Sequence, residues 1–167
     1  MVISNMAKVI LICGKICSGK TFYCKTLQKT YNAVLLSCDE IESQIFHHSL
    51  GENHDIVAVD IKKYLHKKAI DIISVGCNVV LDWGFWTKEE RIETSNYYQS
   101  NGIEYEWHYV DITEEDWKRN ISSRNEAVIS GKSDDYYVDD GLLNKINSLF
   151  EIPTTDEMDI WYINQRQ

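Results

Sequence analysis

Residues 14–21 read GKICSGKT, a full match to the pattern G-x-x-x-x-G-K-T/S. The apolar run 9–13 leads directly into it, and a stretch of helical character follows. No other feature restricts the fold so strongly, because a loop of this kind functions as the turn between a buried strand and a helix N-terminus. Its backbone N–H groups then converge on a phosphate with the helix dipole behind them. In that setting Gly14, Lys15, Ile16, Cys17, Ser18 and Gly19 form a cradle, Lys20 reaches the outer phosphates, and Thr21 offers a hydroxyl to Mg2+.

The rest of the chain supplies the sheet that such a turn needs. Five short runs rich in β-branched or aromatic residues, at 9–13, 33–37, 77–81, 105–110 and 158–163, are near-continuous rather than alternating. That is the pattern of strands buried on both faces. Between them lie segments of helical period at 21–30, 56–75, 87–100, 114–126 and 139–150. The alternation predicts an α/β layer fold around a parallel sheet. Thr87-Lys88-Glu89-Glu90 reads as a capping box, Gly76 and Gly102 stand where helices stop, and Pro153 closes the last long helix. Residues 131–135 are the most loop-like stretch, and nothing in the 167 residues marks a linker or repeat, so a single domain is expected.

Composition narrows the partners. With 17 basic against 26 acidic residues the net charge is −9, a field that repels nucleic acid and anionic membranes. The one basic cluster, Lys62, Lys63, Lys67 and Lys68, reads as a solvated helix face. Cys13, Cys17, Cys24, Cys38 and Cys77 form neither a zinc spacing nor an even disulfide framework, and residues 1–7 form no secretory leader. No apolar run has membrane-spanning length. The expectation is a soluble protein of the reducing cytoplasm, without membrane or nucleic-acid partners. His47, His48, His54, His66 and His108 lack ligand spacing and read as structural or exposed.

Ligands of parallel sheets gather beyond the carboxyl ends of the strands. Asp82 ends the third apolar run, and a carboxylate delivered there beside the phosphate loop supports Mg2+. Asp39, just past the second run, is placed to take a proton from an acceptor hydroxyl, although it also stands where a helix cap would. Arginine is scarce, and Arg119 and Arg124, on partly shared helical faces ahead of 130–135, are candidates for a clamp on the transferring phosphoryl group, with Arg91 a weaker one near substrate. Trp83, Phe85 and Trp86 around Gly84 form a candidate substrate wall, with Trp83 and Trp86 as its contacts.

These motifs, with Leu36 to Ile41, Arg124-Asn125 and the stretch 150–157, resemble the AAA_33 group of P-loop kinases, relatives of polynucleotide kinase, zeta toxins and chloramphenicol phosphotransferase. The resemblance runs over nearly the whole chain. It implies a three-layer fold with a five-stranded parallel sheet of order 2-3-1-4-5, helices on both faces, ATP with Mg2+ as cofactors, and Asp39 as general base. It also implies a lid at about 119–136 and a Pro153 loop near the adenine. The polynucleotide kinases and zeta toxins tend to carry an arginine three residues after the base, where this chain has Glu42, which disfavours a phosphate-bearing acceptor. The resulting expectation is a kinase for a small-molecule hydroxyl acceptor, neutral or cationic. A polynucleotide 5′-hydroxyl kinase and a nucleotide-dependent regulatory module are the alternatives.

Overall fold

A computed structural model of the chain describes residues 6–47 and 49–165, so the expectations for His48 and for 1–5 lie outside the described residues. The strands are β1 (Lys8–Cys13), β2 (Ala33–Ser37), β3 (Asn78–Gly84), β4 (Glu104–Asp111) and β5 (Ile160–Ile163). The helices are α1 (Lys20–Thr30), α2 (Cys38–Phe46), α3 (His54–Ser74), α4 (Lys88–Ser100), α5 (Glu114–Ile129) and α6 (Asp140–Leu149). All strand pairings are parallel, in the order β2-β3-β1-β4-β5.

Side chains alternate across a strand, and the two resulting faces bury different helices. Val9, Leu11, Val79 and Leu81 pack with Ile61, Leu65 and Ala69 of α3 and Tyr98 of α4. Ile10, Ile12, Val80 and Val110 face the other way, onto Cys24 and Leu27 of α1. A third cluster joins Ile16 of the phosphate loop to Trp117 and Ile121 of α5, Val138, and Ile146 of α6. The central strands carry helices on both sides, which is why they read as unbroken apolar runs.

Several boundaries differ from the sequence expectation for local reasons. Helix α2 starts with no intervening loop, because Ser37 both ends β2 and caps the helix by accepting from the Glu40 N–H at 3.3 Å. Asp39 is therefore a first-turn residue, not the cap. Helix α5 runs on to Ile129, and α6 ends at Leu149, where Phe150 turns to extended backbone ahead of Pro153. Strand β5 begins late because the Met158 N–H closes a turn onto the Thr155 carbonyl. Thr87 caps α4 by accepting from the Glu90 N–H at 3.1 Å. The Glu90 carboxylate does not complete a capping box; it pairs with Lys62 at 2.5 Å. Lys62 thus stands apart from the solvated face expected of its cluster.

Arg91 corrects an expectation as well. Its side chain is 3% exposed and absent from the cavity described below. It donates to Glu157 at 3.1 Å, to the Phe85 carbonyl at 3.2 Å and to the Glu151 carbonyl at 3.1 Å. Phe85 holds a left-handed φ of 47°, unusual for a bulky residue, and the Arg91 bond fixes its carbonyl. Arg91 therefore ties the turn after β3 to the 150–157 segment and lies outside the cavity lining. Arg91→Ala should destabilise the fold by about 3 kcal/mol, since it strands Glu157 and two carbonyls. Chemical denaturation checks this; an unchanged midpoint with a raised acceptor KM would restore a substrate role.

Candidate active site

The phosphate loop is built as the motif requires. Gly14 donates its N–H to the Gly84 carbonyl at 3.0 Å, which ties the loop to the end of β3. Gly19 has φ 93°, and a Cβ there would lie 2.3 Å from the Asn164 amide nitrogen, so only glycine fits. From the other side, Trp117 donates its indole N–H to the Ile16 carbonyl at 2.8 Å, and Asn120 donates to the Cys17 carbonyl at 2.9 Å. Sheet and α5 together clamp the loop.

Two features mark this cradle as fitted to an anion. Helix α1 has no side-chain cap and no acidic residue in its first turn, whereas α2, α4, α5 and α6 each have both. Its N-terminal N–H groups are left for a ligand to satisfy. The Ser18 hydroxyl, fully buried in the loop, has no hydrogen-bond partner among the described residues. The Lys20 ammonium bridges back to the Lys15 carbonyl.

A cavity of about 1080 Å³ opens beside the loop. Ile16, Cys17, Gly19, Lys20, Thr21, Asp39, Asp82, Trp83, Trp86 and Arg124 all line it. Asp82 is 5% exposed and lies where β3 runs level with the end of β1. Burial pushes its carboxyl above the usual range, opposed by the Lys20 ammonium and by hydrogen bonding from Thr21. A buried carboxylate and a hydroxyl side by side are the donor set for a hard cation such as Mg2+. Among the described residues no cluster of three or more His, Cys, Asp and Glu could hold a metal by itself. That suits an ion held partly by phosphate oxygens.

Arg124 lines the cavity with its guanidinium 5.2 Å from the Tyr136 ring centroid. Asn125 fixes the chain beyond it, donating to the Val138 carbonyl and accepting from the Val138 N–H, both at 2.8 Å. Arg119 departs from expectation. Five residues on a helix turn through about 140° net, which sends the two arginines to different faces. Arg119 is 56% exposed, paired with Asp116, and outside the cavity lining. Pro153 is buried and also outside the lining, as is Phe85, which is fully buried in the core.

The far end of the cavity joins Glu42, already singled out in the sequence, to residues that sequence reasoning missed. Glu42 accepts from or donates to His54 across 3.0 Å according to their protonation, Asp55 approaches Lys145 at 3.4 Å, and Lys62 and Glu90 form the pair already described. His54 therefore has a site position. His66 and His108 are structural: His66 accepts from the Tyr98 hydroxyl at 2.7 Å, and burial lowers it to about 4, keeping it neutral against Trp83. His108 sits between Tyr23 and Glu106 at 2.8 and 2.5 Å.

The sequence profile of the AAA_33 family, an AAA domain, matches residues 9–153. The chain belongs to the AAA_33 family. Among solved structures, this AAA_33 chain is similar to the APS kinase of Mycobacterium tuberculosis in complex with AMPPNP and APS. The identity is 16% and the TM-score 0.68, over 97% of this chain and 91% of that one. A gluconokinase from Sinorhizobium meliloti 1021 has 11% identity and a TM-score of 0.63, over 95% of this chain and 82% of that one. A chain of an RNA repair complex has 16% identity and a TM-score of 0.68, over 86% of this chain and 44% of that one. At these identities the likeness establishes the P-loop kinase fold. No curated protein matches the chain by sequence. Among the described residues, no helix is long and apolar enough to cross a membrane.

Proposed function

We propose that this AAA_33 protein is a kinase that transfers the γ-phosphate of ATP to a hydroxyl of a small molecule. The observation that carries this reading is the convergence of Lys20, Thr21, Asp82, Asp39 and Arg124 on one cavity with room for a second ligand beside the phosphates. In the reaction the bond between Pγ and the β,γ-bridging oxygen breaks, and ADP leaves with its electron pair. The acceptor oxygen bonds to Pγ while its proton passes to the Asp39 carboxylate. Lys20 and the α1 N-terminus neutralise charge on the phosphates, and Arg124 closes over them as part of a lid at 119–136. Thr21 and Asp82 would hold Mg2+, which supplies further neutralisation of the phosphate oxygens.

The neighbours described as APS kinase and gluconokinase favour a small acceptor. The likeness to a chain of an RNA repair complex favours a second reading, a 5′-hydroxyl polynucleotide kinase. The net charge of −9 and Glu42 in the cavity count against it. Five free cysteines fit work in a reducing cytoplasm.

The test is transfer from γ-labelled ATP with Mg2+ across aminoglycosides, nucleosides, sugars and 5′-hydroxyl oligonucleotides, with acceptor-free hydrolysis as baseline. Label on a small molecule is expected. Label on the oligonucleotide alone, with binding that weakens as salt rises, would replace the reading with the second one.

A further inference from the structure

The acceptor end of the cavity holds a nearly buried carboxylate with spare hydrogen-bonding capacity. Glu42 is 8% exposed yet lines the cavity, three residues after Asp39 on the same face of α2. Its one hydrogen-bond partner among the described residues is the ring of His54, itself half exposed. An ionised carboxylate has about four acceptor positions, and buried polar groups in folded proteins are satisfied. Most of the capacity of Glu42 is therefore open to a donor. Trp83, 9% exposed, lines the same cavity, and its buried indole N–H has no partner among the described residues.

The neighbouring cations do not fill the need of Glu42. Lys62 is committed to Glu90, and Lys145 faces Asp55. Among the described residues no lysine or arginine is paired with Asp39 or Glu42, and the ionisable partner of Glu42 is His54. A phosphate- or sulfate-bearing acceptor would bring like charge against a buried carboxylate. An ammonium brings three donors and the opposite charge, and Trp83 and Trp86 on the same cavity lining add aromatic side chains of the kind that attract cations.

We propose that Glu42 recognises a positively charged amine on the acceptor, so that the compound phosphorylated is a hydroxyl-bearing amine, an aminated sugar or amino alcohol. This rests on the kinase reading, but its test is binding, which is independent of turnover.

Kanamycin, glucosamine and 2-deoxystreptamine would each be titrated calorimetrically into the protein saturated with AMPPNP and Mg2+, beside their N-acetylated twins. At least one amine should bind about tenfold or more tightly than its twin, the scale of one charge-assisted hydrogen bond. Glu42→Gln, nearly isosteric, should erase that preference while the affinity of the acetylated twin changes little; its thermal unfolding reports whether it folds. The wild-type comparison stands even if that variant does not. If no amine binds more than twofold tighter than its acetylated twin, or if a preference for the amine survives in a folded Glu42→Gln protein, the proposal is overturned. Amine binding without label transfer would support the subsite and count against the kinase reading alone.

Discussion

Lys20→Ala should abolish ATP turnover, with kcat/KM falling by about a thousandfold or more, while the protein remains folded. Lys20 opens α1 with an ammonium that donates to the Lys15 carbonyl and acts on the Asp82 carboxyl, within a loop already held by Gly84, Trp117 and Asn120. Its removal therefore costs little stability. In transfer the same charge faces oxygens on which negative charge builds as the β,γ-bridge breaks, and a single well-placed donor there is worth about 10² to 10³ in rate. A full positive charge belongs at or above the upper end. The measurement is steady-state ATP turnover alongside thermal unfolding. Turnover within tenfold of wild type in a folded variant would remove Lys20 from the chemistry.

Asp39→Asn should lower kcat for transfer by about a hundredfold or more and leave AMPPNP affinity unchanged. The size follows from the loss of a positioned base, worth about 10² to 10⁴. The exposed Asp39 side chain lies in the first turn of α2, where Ser37 already supplies the cap. Its contribution to the helix is limited to the dipole interaction, about 0.3 to 1 kcal/mol. Single-turnover transfer with bound ATP separates the two roles. If Asp39 were only a helix residue, the stability would shift slightly and the rate would not; unchanged transfer would remove it as the base.

The fold was readable because buried parallel strands write themselves as unbroken apolar runs and because the phosphate loop anchors the strand-to-helix phase. Helix α2 was missed for the reason that makes it useful. Ser37 ends a strand and starts a helix at once, with no loop residues to signal the change, which places Asp39 and Glu42 tight against the strand ends. The phosphate side of the site was readable since its residues are adjacent in sequence or end a strand, as Asp82 does. The acceptor side was not. His54 meets Glu42 across an intervening loop, and Lys62 meets Glu90 across 28 positions. Arg91 misled because scarcity drew attention to it. Two of its three partners, Glu151 and Glu157, lie 60 and 66 positions away, and only the fold reveals those bonds. Arg119 and Arg124 were separable from helical angle alone, since five positions bring opposed faces, not shared ones.

The third packing cluster, in which Ile16 meets α5 and α6, divides the molecule in a way that bears on how such a protein changes over evolutionary time. The groups beside the phosphates come from the loop after β1, the start of α1 and the end of β3, with Arg124 reaching in from α5. Those at the opposite end come from α2, α3, the start of α4, and α6, whose inward side chains at Glu42, His54 and Lys145 touch the cavity without entering the strand ladder. Substitutions there can trade one acceptor for another while the nucleotide machinery and the core stay as they are. A lineage built on this chain is free to diversify its chemistry through helices laid against an unaltered sheet.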